Sequence, residues 1–278
     1  MTGPLDAKAR DPVILLAAPN GAKLGRDAHP GIPITSNEIA ECAAALLAES
    51  VSVLHLHVRD ENDLHTLSAN RYMDAMRAVH SSVSDQLIIQ VTTEAVGRYK
   101  AQEQMHVVRE LRPEAVSLAL RELCPDSGSE SQAAEFFAWL RAENIWPQYI
   151  LYSAEEILRF EDMRRRGVFA DDSPFCLLVL GRSSGTGEVS ELEAMLASGA
   201  CDEFPWAACC FGSNEFSVMQ VAIARGGHAR IGFENNLQLA DGRIAKDNAE
   251  LVTQFASWLR TNDYAAATAV DIREKYFN

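Results

Sequence analysis

Short apolar runs rich in β-branched residues alternate along the chain with stretches of helical periodicity. Such apolar runs predict buried strands, whereas apolar residues spaced three and four apart predict amphipathic helices. The helical pattern is clear in SNEIAECAAALLAES after the first apolar run and in NEFSVMQVAIARGG after the seventh. The predicted strands lie at 13–18, 51–58, 86–91, 115–120, 146–152, 175–180, 206–211 and 228–233.

This alternation predicts a parallel sheet, because parallel strands are joined by helical crossovers. For a chain of 278 residues, we predict an α/β fold closed into a (β/α)8 or TIM barrel, as a single domain over 1–278. A doubly wound open sheet is the alternative. That fold usually has a first loop of the form GxGxxG, which the loop APNGAKLG does not match.

Composition and charge narrow the class of function. Hydrophobic residues make up 47% of the chain and charged residues 23%, which is typical of a globular protein. A formal net charge of -14 disfavours nucleic acid as a partner, because phosphate binding requires a clustered basic surface. No run approaches the roughly 20 apolar residues of a membrane span, and the N-terminus lacks the apolar core of a signal peptide. We therefore expect a protein with no nucleic acid and no membrane partner.

The six cysteines are scattered through the chain and form no CxxC motif. Cys209 and Cys210 are adjacent, which is poor geometry for a disulfide and better explained by two packed strand residues. Free thiols of this kind are typical of a reducing compartment, so we expect the protein to be cytoplasmic.

The run VSVLHLHVRD at 51–60 places two histidines in an otherwise apolar strand. Residues two apart on a strand face the same side, so His55 and His57 point together. In a barrel they would point inward near the carboxyl end of the strand, where barrel active sites form. Two such imidazoles favour a divalent metal site, and hydrogen-bonded core or rim histidines are the alternative. Arg59 follows directly and either lines the pocket or belongs to a solvated loop.

The segment GGHARIGFENN at 226–236 carries a second polar cluster at the end of the last predicted strand. By alternation Arg230 and Glu234 share one face, with His228 in register. Inward-facing charges are costly unless they are paired or bind a metal or ligand. We predict Glu234 as the third metal ligand, and a purely structural Arg230–Glu234 ion pair is the alternative.

Taken together, the motifs resemble those of the β-keto acid cleavage enzyme family, whose founding activity is 3-keto-5-aminohexanoate cleavage. The resemblance extends from APNGAK at 18–23 to DNAELV at 247–252. The combination of HxHxR with GGHxRxGxE is specific, whereas either half alone would not be. The motifs that carry the resemblance are HLHVRD at 55–60, TTEAVG at 92–97, RPEAVSL at 112–118, VLG at 179–181 and GGHARIGFENN at 226–236.

The resemblance implies a zinc-dependent barrel that condenses a β-keto acid with acetyl-CoA and releases acetoacetate and a new acyl-CoA. It also implies a homotetramer. By resemblance, the zinc ligands are His55, His57 and Glu234. Arg230 would be catalytic and help to position acetyl-CoA, and the substrate would contact Thr92 and Ser117.

Two positions depart from the family pattern. Asn235 occupies the catalytic position where the pattern has an acid, and an amide cannot accept a proton, so the base lies elsewhere or another feature compensates. Lys23 stands in the first loop, where the founding enzyme has an acid. A lysine there disfavours a substrate with an ammonium group and favours a neutral or acidic side chain, and a solvated loop lysine is the alternative.

Two other kinds of function remain open at this point, because a fold does not fix a function. One is a metal-dependent aldolase or hydrolase that needs no CoA, and the other is a metal-binding protein that has lost catalysis. A requirement for acetyl-CoA would distinguish the first, and bound metal without turnover would favour the second. No phosphate-binding loop identifies the CoA site, for which the basic candidates are Lys23, Arg26, Arg59, Arg98 and Arg182.

Overall fold

The computed structural model describes residues 11–171, 173–182 and 185–277, so the predicted domain of 1–278 includes some residues outside the described ones. In chain order the strands are β1 (Leu15–Ala17), β2 (Val53–Leu56), β3 (Val58–Arg59), β4 (His65–Thr66), β5 (Ile88–Thr92), β6 (Ala115–Ala119), β7 (Trp146–Leu151), β8 (Phe175–Leu180), β9 (Trp206–Cys210) and β10 (His228–Ile231).

The helices follow the strands, as the periodicity predicts. They are α1 (Ser36–Ala48), α2 (Ala69–Val83), α3 (Ala101–Leu111), α4 (Leu120–Leu123), α5 (Glu130–Ala142), α6 (Ala154–Arg165), α7 (Val189–Leu196), α8 (Glu215–Ala224), α9 (Asn248–Thr261) and α10 (Ala269–Tyr276). Helix α1 begins with a capping box in which Thr35 and Glu38 bond each other's main-chain N–H groups.

Eight of the strands form a closed parallel barrel in the order β1-β10-β9-β8-β7-β6-β5-β2. The predicted TIM-barrel class is confirmed, as are the eight predicted strands, and the open-sheet alternative is wrong because β1 pairs with both β2 and β10. The predicted strand at 51–58 is interrupted. Strand β2 ends at Leu56, and the chain then leaves the barrel as β3, which forms an antiparallel hairpin with β4.

Alternation along the strands divides the core into two parts. Side chains such as Leu16, Val53 and Ile88 fill the barrel interior. Their chain neighbours, such as Leu15 and Leu54, pack outward against the helices. Both sets are almost fully buried, which explains why these strands read as continuous apolar runs.

Helix α10 covers the amino-terminal end of the barrel. Tyr276 stacks on Trp146 with ring centroids 5.0 Å apart, and Ile272 joins the interior cluster. The carboxyl ends of the strands lie at the opposite end, where polar side chains replace the apolar filling. Within the described ranges, no helix is both long enough and apolar enough to cross a membrane.

Candidate functional site

Three of the predicted residues meet at the carboxyl end of the barrel. His55 lies on β2 and His57 directly follows it, while Glu234 lies in the turn after β10, on the other side of β1. The main-chain N–H of Glu234 donates to the carbonyl of Ala18 at 3.0 Å, which fixes this turn against the end of β1. Oε2 of Glu234 lies 3.5 Å from Nε2 of His55 and 3.4 Å from Nε2 of His57.

The outer nitrogens of the two histidines have defined partners. Nδ1 of His55 lies 2.8 Å from Oε1 of Gln90, its register partner on β5. Nδ1 of His57 lies 3.4 Å from Nδ1 of His65, whose Nε2 lies 2.9 Å from the carbonyl oxygen of Glu94. Because carbonyl oxygens only accept, His65 is protonated on Nε2 and accepts from His57, and Gln90 accepts from His55.

This pattern leaves a lone pair on Nε2 of both His55 and His57. The two Nε2 atoms are 3.2 Å apart and face Oε2 of Glu234, which accepts no hydrogen bond from the described part of the chain. Three buried acceptor atoms without a donor are unfavourable together unless a cation lies between them. All three ligand atoms lie within 4.8 Å of one another, so these residues fit a divalent metal ion.

Arg230 shares Glu234 with the histidines. Its Nη2 donates to Oε1 of Glu234 at 2.9 Å and lies 3.3 Å from Sγ of Cys209. Burial alone would raise the pKa of Glu234, but the charge of Arg230 holds that pKa well below its usual range. Arg230 and Glu234 therefore form an ion pair through Oε1, and Oε2 of Glu234 stays available to bind a metal ion.

Burial and the charge of Arg230 lower the pKa of His55 to about 3, so its imidazole is neutral at physiological pH. A neutral imidazole is the form that binds metal ions. His65, the hydrogen-bond partner of His57, is likewise neutral at physiological pH, because burial and the neighbouring His57 lower its pKa to about 4.

Arg59 bonds to main-chain carbonyls rather than to the three residues of this cluster. Its Nη2 donates to the carbonyls of Asn20, Gly21 and Leu24, and its Nη1 donates to the carbonyl of Asp63. These bonds hold the loop after β1 in place, and Arg59 does not line the cavity beside His55, His57 and Glu234. A direct contact of Arg59 with substrate stays a prediction.

A small inner cavity of about 20 Å³ adjoins the three ligands. Thr92 and Ser117, both predicted as substrate contacts, line it together with Arg230. Oγ of Ser117 is buried and has no hydrogen-bond partner among the described residues, so it can donate to an oxygen placed in the cavity. The volume holds about one water molecule, so a larger ligand must displace side chains.

An outer pocket of about 520 Å³ lies beyond the inner cavity. Lys23, which is exposed, and Arg98 line this outer pocket but not the inner cavity. Glu94 and Arg182 line both spaces and form an ion pair of 2.6 Å between them. The candidate CoA residue Arg182 is thus placed at the boundary, and Arg26 is engaged with Glu38 at 2.7 Å.

Asn235 lies beside the cluster rather than on the cavity wall. The residue is 5% exposed, and neither atom of its side-chain amide has a hydrogen-bond partner in the described part of the chain. Its carbonyl accepts from the N–H of Gly212, which ties the turn after β10 to the loop after β9. A catalytic role for Asn235 stays a prediction.

Three residues of the site, Gln90, His65 and Glu94, are absent from the sequence prediction. Gln90 is a polar residue inside the apolar run QLIIQV, which is a detectable signal for an inward-facing partner. Glu94 belongs to the TTEAVG motif, and its charge after a strand end is a second signal. His65 is brought in by the β3–β4 hairpin, which has no clear sequence pattern.

A larger cavity, about 710 Å³, is at the opposite end of the barrel. His228 lines this cavity. The predicted alternation puts it on the same face of β10 as Arg230, but it begins the strand and so lies at the end of the barrel away from the candidate site. Nδ1 of His228 accepts from the N–H of Ile14 at 3.0 Å, and burial lowers its pKa to about 4. Convergent ligand atoms, rather than size, therefore identify the candidate site.

Solved structures share this fold at low sequence identity. The apo structure of ObcA superposes with a TM-score of 0.70 at 14% identity, over 89% of this chain and 65% of that chain. The chain thus spans about two thirds of the length of ObcA. A truncated 3-deoxy-D-arabino-heptulosonate 7-phosphate synthase from Thermotoga maritima gives a TM-score of 0.53 at 12% identity, over 92% and 89% of the two chains.

Curated relatives match over nearly their full length. The 3-keto-5-aminohexanoate cleavage enzyme of Acetoanaerobium sticklandii is 26% identical, over 94% of this chain and 97% of that protein. The 3-oxoadipate:acetyl-CoA acetyltransferase of Cupriavidus necator is 24% identical, over 94% and 93%. A sequence model described as beta-keto acid cleavage enzyme matches residues 12–277. The resemblance predicted from the motifs is confirmed, and the chain belongs to the beta-keto acid cleavage enzyme family.

Proposed function

We propose that the protein is a zinc-dependent enzyme that condenses a β-keto acid with acetyl-CoA to give acetoacetate and a new acyl-CoA. The observation that carries this proposal is the convergence of His55, His57 and Glu234 beside a polar cavity, in a chain of this family. The names of the relatives support it. One is a 3-oxoadipate:acetyl-CoA acetyltransferase, and another, from Rhizobium meliloti, is a 3-dehydrocarnitine:acetyl-CoA trimethylamine transferase.

Two imidazole nitrogens and one carboxylate oxygen are a typical set of ligands for catalytic zinc, which keeps a fourth position for substrate. When bound, the ion supplies Lewis acidity toward the keto oxygen of the substrate. Gln90 and His65 hold the ligand histidines in the metal-binding tautomer through their Nδ1 atoms.

The atoms of the reaction define what the remaining residues must do. In R–CO–CH2–COO⁻ + CH3–CO–S–CoA → CH3–CO–CH2–COO⁻ + R–CO–S–CoA, the C2–C3 bond of the keto acid breaks and C2 bonds to the acetyl carbon. C2 must lose a proton before it can attack, and negative charge develops on oxygen. Arg230, which stays protonated, and the hydroxyl of Ser117 are placed to stabilise that charge.

For the substrate we propose a β-keto acid with a neutral or acidic side chain. Lys23 is exposed at the outer pocket, where it joins Arg98 and Arg182, so that three cations outnumber the two carboxylates of the lining, Glu94 and Glu122. Cations there disfavour an ammonium group and suit the phosphates of CoA. An enzyme that prefers an amino-substituted keto acid over neutral and dicarboxylic analogues would contradict this part of the proposal.

The test is zinc content together with acetoacetate formation from acetyl-CoA and a panel of β-keto acids. We expect about one zinc per chain and acetoacetate only when acetyl-CoA is present. His57→Ala should lose both, whereas the matched control His80→Ala, at an exposed helix position, should keep both. Turnover without acetyl-CoA would favour an aldolase or hydrolase, and zinc without turnover would favour a protein that has lost catalysis.

Two further properties belong to the proposal. All six cysteines are free thiols, which supports a reducing, cytoplasmic location. A homotetramer follows from the family resemblance alone. Light scattering on the purified protein tests it, and a mass other than four chains would contradict it.

A further inference from the structure

The proposed reaction needs a base for the C2 proton, and the inner cavity restricts the choice. Asn235 has an amide, which does not accept a proton. Two carboxylates line the cavity among the described residues, Glu94 and Glu234. Glu234 is engaged by Arg230 and faces the two ligand histidines, which leaves Glu94.

From this placement we infer that Glu94 accepts the C2 proton of the β-keto acid, after the substrate carboxylate replaces Glu94 on Arg182. The inference rests on the proposed keto acid cleavage and adds its base.

Several contacts hold Glu94 at the boundary between the inner cavity and the outer pocket. Its N–H donates to Oγ1 of Thr92 at 3.2 Å, and its carbonyl accepts from Nε2 of His65 at 2.9 Å. The main chain is thereby tied to the same histidine that orients His57. The side chain is 12% exposed, so the carboxylate is largely shielded from water.

Arg182 explains how the carboxylate becomes available. In the structure Nη2 of Arg182 lies 2.6 Å from Oε1 of Glu94, so the guanidinium occupies this oxygen and must release it before it can take a proton. The inner cavity of about 20 Å³ is too small for a keto acid while this pair is closed. A substrate carboxylate is a chemically equivalent partner for the guanidinium.

The connectivity of the substrate then brings the reacting group to the base. C2 is bonded directly to the carboxylate carbon, so a carboxylate on Arg182 places the C2 protons beside the displaced Glu94.

The proton and electrons balance over one cycle. Glu94 takes H⁺ from C2, and the C–H electron pair becomes the enolate that attacks the acetyl carbon and expels the CoA thiolate. The thiolate attacks C3, the C2–C3 bond breaks, and R–CO–S–CoA leaves. The resulting acetoacetate enolate takes the proton back from Glu94.

The experiment follows deuterium uptake at C2 of the keto acid in D2O by proton NMR, corrected for the enzyme-free rate, alongside acetoacetate formation. Glu94→Gln should lower enzyme-dependent exchange and acetoacetate formation by about 100-fold or more, with zinc content unchanged. Glu94→Asp should recover part of both rates. The matched control is Glu110→Gln. Glu110 is exposed on α3 and lines neither the inner cavity nor the outer pocket, so the rates should stay within about twofold of the wild type.

Saturating keto acid separates the base from a mere counterion. If Glu94 only neutralised Arg182, the bound substrate carboxylate would take over that role and Glu94→Gln would keep the wild-type exchange rate at saturation, whereas a base predicts a lower rate at saturation with KM little changed. A wild-type exchange rate at saturation, or wild-type acetoacetate formation, in Glu94→Gln would overturn the inference. If the wild type with zinc makes no acetoacetate from any keto acid, the proposed function itself fails, and that outcome is seen before any variant is compared.

Discussion

Gly21 lies directly against the side chain of Glu234. A Cβ added to Gly21 would lie 2.4 Å from Cγ of Glu234, and Gly21 has a φ of +59°. The glycine thus has two roles, since it permits the left-handed turn after β1 and leaves room for the carboxylate of Glu234, the proposed metal ligand.

Gly21→Ala is therefore expected to move Glu234 and weaken zinc binding by at least tenfold, in addition to a backbone cost of about 1–2 kcal/mol. The matched control is Gly167→Ala, since Gly167 has a φ of +71° and a Cβ added there would meet nothing within 4 Å. Zinc affinity by competition with a chelator and stability by urea unfolding separate the two effects. Equal zinc affinity in both variants would show that the contact with Glu234 does not matter.

Gln90 should act on the metal through His55. Gln90→Leu removes the oxygen that accepts from Nδ1 of His55, so the imidazole loses its fixed tautomer. We expect zinc affinity to fall about 10–100-fold. Gln90→Glu keeps an acceptor and should retain affinity. A leucine variant with wild-type affinity would contradict this role.

His65 should act in the same way on His57. It accepts at Nδ1 and donates at Nε2, and a glutamine side chain can do both, whereas leucine can do neither. His65→Leu is expected to lower zinc affinity about 10–100-fold, and His65→Gln should restore most of it. The absorption spectrum of the cobalt-substituted protein reports on ligand geometry, and it should change in the leucine variant only. Identical losses in both variants would indicate a packing effect.

Glu215 predicts a pH dependence of stability. It is 2% exposed, and burial raises its pKa to about 8, against partly opposing hydrogen bonds from Asn236 and Gly232. The folded state therefore binds the proton more tightly than the unfolded state, whose carboxyl has an ordinary pKa of about 4.3. The free energy of unfolding should fall as the pH rises from about 4.3 to about 8, and Glu215 contributes at most about 1.4 kcal/mol per pH unit to this fall.

Glu215→Gln removes that titration. Urea unfolding at pH 5.5 and pH 8 should show a smaller loss of stability in the variant than in the wild type. The difference between the two proteins isolates Glu215 from other buried groups such as His228, which titrate in both. Parallel pH profiles would contradict the prediction.

The sequence predicts much of this molecule because the relevant signals are local. The strands read as apolar runs, and the spacing of His55 and His57 places both on one face. The partners of those histidines depend on non-local geometry. Gln90 reaches His55 through the β2–β5 register, and His65 reaches His57 only because the chain turns back in the β3–β4 hairpin. The ion pair of Glu94 with Arg182 likewise joins loops after different strands, which no periodicity reports.

The packing of α10 under the barrel has a consequence for the order of events. Because Tyr276 and Trp146 stack across the amino-terminal end, substrates and products reach and leave the inner cavity at the carboxyl end, where the outer pocket lies. A long thioester seated at that entrance covers whatever lies beneath it. The keto acid must therefore bind before acetyl-CoA, and acetoacetate must leave after the new acyl-CoA.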